Sequence, residues 1–139
     1  MKSIWIFLFL AINIFGQSSS VPDIDYKPKT LNEAIAQLDL IYSDSIKILI
    51  TEMDESEFLE NTHRTTGRFI RNEWLYDRFL VFFVSDSDLK EQLFEMGIPT
   101  NDDMSALILR TYYRHLTKQE LNIEQQIFEI QNYYINLNK

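Results

Sequence analysis

Apolar residues recur every three or four positions through most of this 139-residue chain, and this spacing constrains the fold more than any other feature. The widest example follows Pro99, where two adjacent faces of one predicted helix are apolar: Met104, Leu107, Ile108 and Tyr112, and beside them Ala106, Leu109, Tyr113 and Leu116. A helix with so broad an apolar sector usually has neighbours on several sides. We therefore expect it to be the central helix of a compact, single-domain, all-α bundle.

Helix-capping residues divide the domain into about six helices. Thr30 and Glu33 have capping-box spacing, in which each side chain accepts a hydrogen bond from the other residue's backbone N–H, and this helix should run to about Ile41. Gly97 predicts a helix end. The other predicted N-caps are Ser43, Asp54, Ser85 or Asp86, and Asn101 or Asp102. The last helix, Ile123–Leu137, should pack through Ile123, Ile127, Ile130, Tyr134 and Leu137.

Residues 79–84 form a continuous apolar run of six. The composition of this run permits a β-strand. Its length and the lack of a second run that could pair with it favour a buried helix instead. We therefore predict that the preceding helix continues through these residues.

The N-terminal residues predict export. Lys2 precedes an apolar run at residues 4–15, and small or polar residues follow, which is the pattern of a signal peptide. This run is shorter than the roughly 20 residues that span a bilayer, so we expect residues 1–17 to be removed near Gly16 or Gln17. The alternative is an uncleaved N-terminal anchor. Cleavage would leave a periplasmic or extracellular protein without a stable membrane span, with an extended leader at 18–29 and a helical domain at 30–139.

Charge and residue content exclude several classes of function. The formal net charge is -8, which argues against binding to nucleic acid or anionic lipid, since both need clustered Lys and Arg. The chain has no cysteine, so disulfides and thiolate metal sites are excluded. His63 and His115 are the only histidines and lack metal-site spacing, so we predict no metal and no cofactor. Asp102 and Asp103 are better explained as acidic residues in the first turn of a helix.

Candidate functional residues cluster on a helix predicted over about residues 62–76. On that helix Arg64, Arg68, Arg71 and Arg78 would fall within an arc of about 80° and form a basic stripe. Gly67 inside the helix costs about 1 kcal/mol relative to alanine, which indicates that a neighbouring backbone approaches closely. The candidate binding residues are Thr62, His63, Arg64, Gly67, Arg68, Arg71, Asn72 and Trp74.

The stripe has two functional interpretations and one structural interpretation. Arginine binds carboxylates and phosphates through paired hydrogen bonds, so the leading hypothesis is a non-catalytic binding module for an acidic protein partner or a small anion. The alternative is a hydrolase-like enzyme, with His63 as acid or base and Arg71 or Asn72 stabilising negative charge. The structural interpretation pairs the stripe with Glu60, the acidic first helix or the acidic pair at 102–103. Trp74, for its part, has the spacing of a core residue.

Several residues together match the pattern of a known family. They are residues 31–34, Thr62, His63, Gly67, residues 70–74, Pro99, residues 102–105, Ile108, Leu109, Tyr112, Arg114 and Leu116. Through them the chain resembles, over about residues 30–135, a small bacterial domain family of unknown function, DUF6794. The resemblance implies a compact helical domain and draws attention to Thr62, His63, Gly67, Arg71, Asn72 and Trp74. It implies no established activity, and the export signal is a departure from that family.

Overall fold

The computed structural model of the protein describes Asp23 and residues 25–76, 78–80, 83–85 and 87–138. The predicted signal peptide and residues 18–22 of the predicted leader lie outside these residues. Of the helices in the described part, none is both long and apolar enough to cross a membrane.

The described residues form an all-α fold, as predicted, with seven α-helices rather than about six. Their bounds are α1 Leu31–Ile41, α2 Asp44–Glu52, α3 Glu55–His63, α4 Thr66–Phe69, α5 Asp88–Glu95, α6 Asn101–Leu116 and α7 Ile123–Leu137. A π-helix, Ile70–Trp74, continues directly from α4. Two short antiparallel strands, β1 Arg78–Leu80 and β2 Phe83–Ser85, connect the π-helix to α5.

The central position predicted for α6 is confirmed. Within the described part, α6 contacts each of the other helices. Its buried residues are Met104, Ser105, Leu107, Ile108, Leu109, Thr111, Tyr112 and Tyr113. Burial on so many sides follows from the two adjacent apolar faces, since each face can pack against different neighbours.

Three of the predicted N-caps are confirmed. The side chains of Thr30, Ser43 and Asp54 accept hydrogen bonds from backbone N–H groups in the first turns of α1, α2 and α3. The capping box at α1 is only half formed, because the Glu33 carboxylate accepts from the Lys29 backbone N–H at 2.8 Å rather than from Thr30.

The caps of α5 and α6 differ from the predicted residues. Ser87, rather than Ser85 or Asp86, caps α5. Thr100 caps α6: its hydroxyl accepts from the Asp103 backbone N–H at 3.1 Å and donates to Asp103 Oδ2 at 2.5 Å. The acidic pair 102–103 therefore occupies the first turn, as predicted, where negative charge interacts favourably with the helix dipole.

The helix predicted over about residues 62–76 is mostly helical, but it is not the single continuous helix that was predicted. α3 ends at His63, the chain turns at Arg64 and Thr65, and helix resumes at Thr66. Thr65 has backbone angles of φ −107° and ψ −90°, and its N–H donates to the Thr62 carbonyl at 3.1 Å. Threonine is a weak helix former because its hydroxyl competes for backbone groups and its branched Cβ is restricted, so a run with three threonines favours a break.

The helix predicted through residues 79–84 is also wrong. Phe79 pairs with Val84 and Leu80 with Phe83 across the antiparallel strands. The run therefore folds back on itself and supplies its own partner strand. The prediction assumed that a strand needs a second apolar run elsewhere in the chain.

α7 has the predicted bounds, and Ile123, Ile127 and Ile130 are partly buried against the core. Leu137, predicted to pack inward, is 62% exposed. α7 lies antiparallel to α6, and the Tyr134 hydroxyl reaches Asp103 in the first turn of α6 at 2.6 Å. The last turn of α7 therefore lies beside the first turn of α6.

Candidate functional site

Arg71 lies at the centre of the predicted site and is engaged within the protein. Its Nη1 donates to Ser105 Oγ at 3.0 Å, and its Nη2 donates to the His63 carbonyl at 3.2 Å. Its Nε lies 3.2 Å from Asp102 Oδ1. The side chain of Arg71 is only 18% exposed. The structural interpretation, in which the acidic pair at 102–103 binds an arginine of the stripe, is confirmed for Arg71.

The contacts of Arg71 join three elements. They connect the π-helix to the last residue of α3 and to the first turn of α6. Ser105 in turn donates to the Asp102 carbonyl at 2.9 Å, so the acceptors around the guanidinium are themselves held in place. Ser105 was not among the predicted site residues, because its position one helical turn after Asp102 acquires meaning only once Arg71 is placed beside it.

Gly67 provides the space that the guanidinium of Arg71 occupies. A methyl group on Gly67 would lie 3.1 Å from Arg71 Nη1, 3.3 Å from the Thr62 carbonyl oxygen and 3.5 Å from Leu109 Cδ1. The predicted close approach of a backbone group is therefore confirmed, since the Thr62 carbonyl is one of these neighbours. The approach of Arg71 and α6 adds to it.

Besides Gly67, two of the predicted binding residues, Thr62 and Trp74, are buried. Thr62 has no exposed surface, and its hydroxyl donates to the Phe58 carbonyl at 2.7 Å. Trp74 is 1% exposed and packs edge-on against Phe69, with 5.6 Å between ring centroids. The Ser87 hydroxyl donates to the Trp74 carbonyl. Like Gly67, these residues support the fold around the site, and a partner could contact their side chains only if the core opened.

The other four predicted residues, His63, Arg64, Arg68 and Asn72, are exposed. Arg64 lies in the turn after α3, Arg68 in α4 and Arg78 in β1, so the stripe does not form one helix face as predicted. Among the arginine side chains that the structure describes, Arg64 and Arg68 are the two without an ion pair or hydrogen bond, because Arg71, Arg110 and Arg114 all have carboxylate partners. The suggested pairing of Glu60 with Arg64 does not occur.

A second charged cluster, formed by Arg110, Arg114, Glu55 and Glu129, was not predicted from the sequence. Arg114 binds Glu55 through Nε at 2.8 Å and Nη2 at 3.2 Å, and this pairing raises the pKa of Arg114. Arg110 contacts the same carboxylate at 3.3 Å and Glu129 at 3.5 Å. The two arginines lie one helical turn apart on α6, a spacing visible in the sequence, but their partners come from α3 and α7. Two positive and two negative charges balance in this cluster, so it is suited to joining helices.

Two buried tyrosines, Tyr42 and Tyr112, connect the end of α1 to α4 and α6. The Tyr42 hydroxyl is hydrogen-bonded to Thr66 Oγ1 at 2.7 Å, which ties the end of α1 to the first residue of α4. Tyr42 stacks on Tyr112 with 5.4 Å between ring centroids. Burial raises the pKa of Tyr42 to about 12. Burial also raises the pKa of Tyr112, and the negative charge of Asp39 adds to this shift.

The geometry around His63 is that of a surface residue. Arg71 contacts its backbone carbonyl, and within the described part of the chain the His63 ring has no hydrogen bond. A shallow depression at the start of α7 is lined by residues 121–125 and Phe128, and no predicted site residue borders it. The residues that the structure describes include no group of three or more His, Asp or Glu placed to hold a metal ion. The enzyme alternative stays a hypothesis without a supporting observation.

Comparison with known protein families gives one match. The family described as "Domain of unknown function (DUF6794)" matches residues 27–116, a segment that includes all eight predicted binding residues and ends with α6. α7 lies beyond the matched segment. No curated protein and no solved structure matches the chain.

Proposed function

The chain belongs to the DUF6794 family, whose description assigns no activity, and we therefore propose a function from the geometry of its own residues. The protein is a non-catalytic binding module that contacts an acidic protein partner. The contact surface is the exposed patch formed by Arg64 and Arg68, with His63 and Asn72 next to it, which we call the basic patch.

The observation that carries this proposal is that Arg64 and Arg68 are both exposed and unpaired in a strongly acidic protein. The chain has 21 acidic residues and 13 Lys and Arg, so carboxylates to pair with an arginine are plentiful. Every other arginine side chain in the described part forms an ion pair with a carboxylate. Guanidinium groups that stay available on such a surface are suited to paired hydrogen bonds with carboxylates of another molecule.

The basic patch also has a rigid base. Arg64 directly follows His63, whose carbonyl is held by Arg71, and Arg68 directly follows Gly67, which packs against the same guanidinium. Both unpaired arginines are therefore anchored at the backbone through Arg71. A surface whose backbone is already ordered loses less entropy on binding, which favours affinity. Arg71 thus contributes to the proposed binding by positioning the two arginines.

An acidic protein segment suits the basic patch better than a small anion does. Arg64 and Arg68 are separated by one turn of chain and neither side chain is held in place by a neighbour. A segment with two carboxylates can engage both arginines, whereas a single small anion would have to bring two mobile side chains together and order both of them. Exposed charge pairs contribute little each, so the second contact matters.

The test uses a fluorescein-labelled peptide of ten glutamates and the protein without residues 1–17. Arg64→Gln/Arg68→Gln should weaken peptide binding about tenfold, since two exposed charge pairs together contribute about 1.4 kcal/mol. The matched control is Lys27→Gln/Lys118→Gln, which also removes two exposed positive charges. This control should change the affinity less than about twofold if the contact is local, because distant exposed charges are screened by salt.

Three outcomes would contradict the proposal. Equal losses in the two double variants would mean that the peptide senses net charge and not the basic patch. Absence of binding by the unaltered protein at millimolar peptide would remove the basis for an acidic partner. Competition by inorganic phosphate at concentrations similar to those of the peptide carboxylates would favour the small anion instead.

We also propose that the protein is exported, on the basis of the pattern in residues 1–20. Expression of the whole chain in a bacterium, followed by mass measurement, should give a product cleaved near Gly16 or Gln17. A membrane-bound product that still begins at Met1 would favour the uncleaved anchor.

A further inference from the structure

Four polar contacts join α7 and the residues just before it to α6. In chain order, these join the Leu121 carbonyl to Arg114 Nη1 (3.1 Å), Gln126 Nε2 to Thr111 Oγ1 (3.4 Å), Glu129 Oε2 to Arg110 Nη1 (3.5 Å) and the Tyr134 hydroxyl to Asp103 Oδ2 (2.6 Å). Gln126 is the one residue of α7 that is fully buried. The isoleucines of α7 that pack against the core are only partly buried, so α7 gains less from the hydrophobic effect than α6, which has eight buried residues.

The residues of α6 that form these contacts lie in a continuous strip. Asp103, Arg110 and Arg114 are seven and four residues apart and therefore lie along one face of the helix, with Thr111 next to them. We call these four residues the α6 strip. α7 contains two glutamates and no Lys, Arg or His, so it is an acidic amphipathic helix. The α6 strip complements this helix at one charged position, where Arg110 pairs with Glu129.

The α6 strip is independent of α7. Arg110 and Arg114 both contact Glu55 of α3, so they keep a carboxylate partner and their position when α7 is absent. The match to the DUF6794 family ends at Leu116, the last residue of α6, so the strip lies inside the matched segment and α7 lies outside it.

The end of α6 is formed by its own contacts. Lys118 has φ 57° just after the helix, where its N–H donates to the His115 carbonyl at 3.2 Å and the Gln119 N–H donates to the Arg114 carbonyl at 2.8 Å. A residue with positive φ at this position ends many helices. α6 therefore keeps its C-terminal end without any contact from α7.

We propose that α7 is an internal strap that detaches while the rest of the domain stays folded, and that the α6 strip then binds an acidic amphipathic helix of a partner in its place. The occupant is defined by α7 itself, which shows that a helix with this charge and spacing fits. The inference uses none of the residues of the basic patch and does not rest on the binding function proposed for it.

The test is the binding of a fluorescein-labelled peptide of residues 120–138 to the protein without residues 1–17. Tyr134→Phe in the protein removes the hydrogen bond to Asp103 and weakens the strap, so the peptide should bind about tenfold more tightly. Tyr134→Phe in the peptide should weaken binding to the unaltered protein by a similar factor. The same substitution should therefore strengthen peptide binding when it is made in the protein and weaken peptide binding when it is made in the peptide.

Tyr133→Phe in the protein is the matched control, because Tyr133 is 60% exposed and its loss of a hydroxyl should leave the affinity unchanged. An affinity that does not rise in the Tyr134→Phe protein would overturn the proposed competition. A scrambled peptide of the same composition that binds equally well would also overturn it, because charge alone would then explain the binding.

Hydrogen exchange of the unaltered protein provides an independent readout of opening. The backbone N–H groups of α7 should exchange at least about tenfold faster than those of α6, and Tyr134→Phe should accelerate exchange in α7 alone by about tenfold. Equal exchange rates with the same dependence on denaturant in both helices would show that α7 opens only when the whole domain unfolds, and would overturn the strap.

Discussion

The guanidinium of Arg71 lies against Gly67, where a methyl group would be 3.1 Å from Arg71 Nη1. The missing side chain of Gly67 lets Arg71 pass close to the backbone of α4 and reach the His63 carbonyl and Ser105 Oγ. Glycine at this position therefore serves a contact between helices, since it allows a charged side chain to fill the space that a Cβ would take.

Gly67→Ala should destabilise the protein by about 1 kcal/mol. Crowding in a packed site costs about 1–3 kcal/mol, and the better helix propensity of alanine offsets about 1 kcal/mol of that cost. With Arg71→Gln already in place the guanidinium is gone, and Gly67→Ala should become nearly neutral. Urea unfolding of the four proteins in this cycle measures the coupling. An equal cost in both backgrounds would assign the need for glycine to the Thr62 carbonyl.

Arg71→Gln should lower the free energy of unfolding by about 2 kcal/mol or more. The substitution removes an ion pair and two charge-assisted hydrogen bonds and leaves Ser105 and the His63 carbonyl without their donor. His63→Gln is the control, because an exposed ring without a hydrogen bond should change stability by less than about 0.5 kcal/mol. A loss of about 2 kcal/mol in His63→Gln would place that ring in a structural network and remove it from the basic patch.

Gly97→Ala should be destabilising for two separable reasons. Gly97 has φ 90°, a backbone region that residues with a Cβ rarely adopt, and a methyl group there would overlap the Gln131 amide of α7. The backbone conformation alone should cost about 1–2 kcal/mol. Gln131→Ala in the same protein should recover the steric part and leave the backbone part. Thermal unfolding of the single and double variants separates them, and no recovery would show that Gln131 moves aside freely.

Stability should fall as the pH rises above about 10. Below that value Tyr42 is neutral in both the folded and the unfolded protein. Burial raises the pKa of Tyr42 to about 12 in the folded state, so the unfolded protein loses this proton first as the pH rises. The free energy of unfolding therefore falls between about pH 10 and pH 12. The slope should be about 1.4 kcal/mol per pH unit for this hydroxyl. The pKa of Tyr112 is raised as well, so it contributes in the same direction.

Tyr42→Phe should reduce this alkaline slope. The variant also loses the hydrogen bond to Thr66 and is therefore less stable at every pH, so the slope is the quantity to compare. Urea unfolding between about pH 8 and pH 11 measures it. An unchanged slope would mean that the Tyr42 hydroxyl is not the group that resists ionisation in the folded protein.

Features that depend on neighbours in the sequence were predictable. The bounds of α1, the caps at Ser43 and Asp54 and the helix end at Gly97 all rest on interactions within about four residues, so the local pattern contains the whole cause. The central position of α6 was predictable for a related reason. The width of its apolar sector predicts that neighbours pack on several sides of α6, but it does not predict which helices these neighbours are.

The partners of the charged residues were decided by the tertiary structure. In the sequence, Arg64, Arg68 and Arg71 look alike. The break at Thr65 and the packing of the π-helix on α6 turn Arg71 toward Asp102 and Ser105, 31 and 34 residues away, and leave the other two in solvent. Sequence spacing determines which face of a helix a side chain occupies. Only the packing of helices against one another determines whether that face meets a carboxylate, the core or water, because these contacts join residues that the local pattern cannot relate.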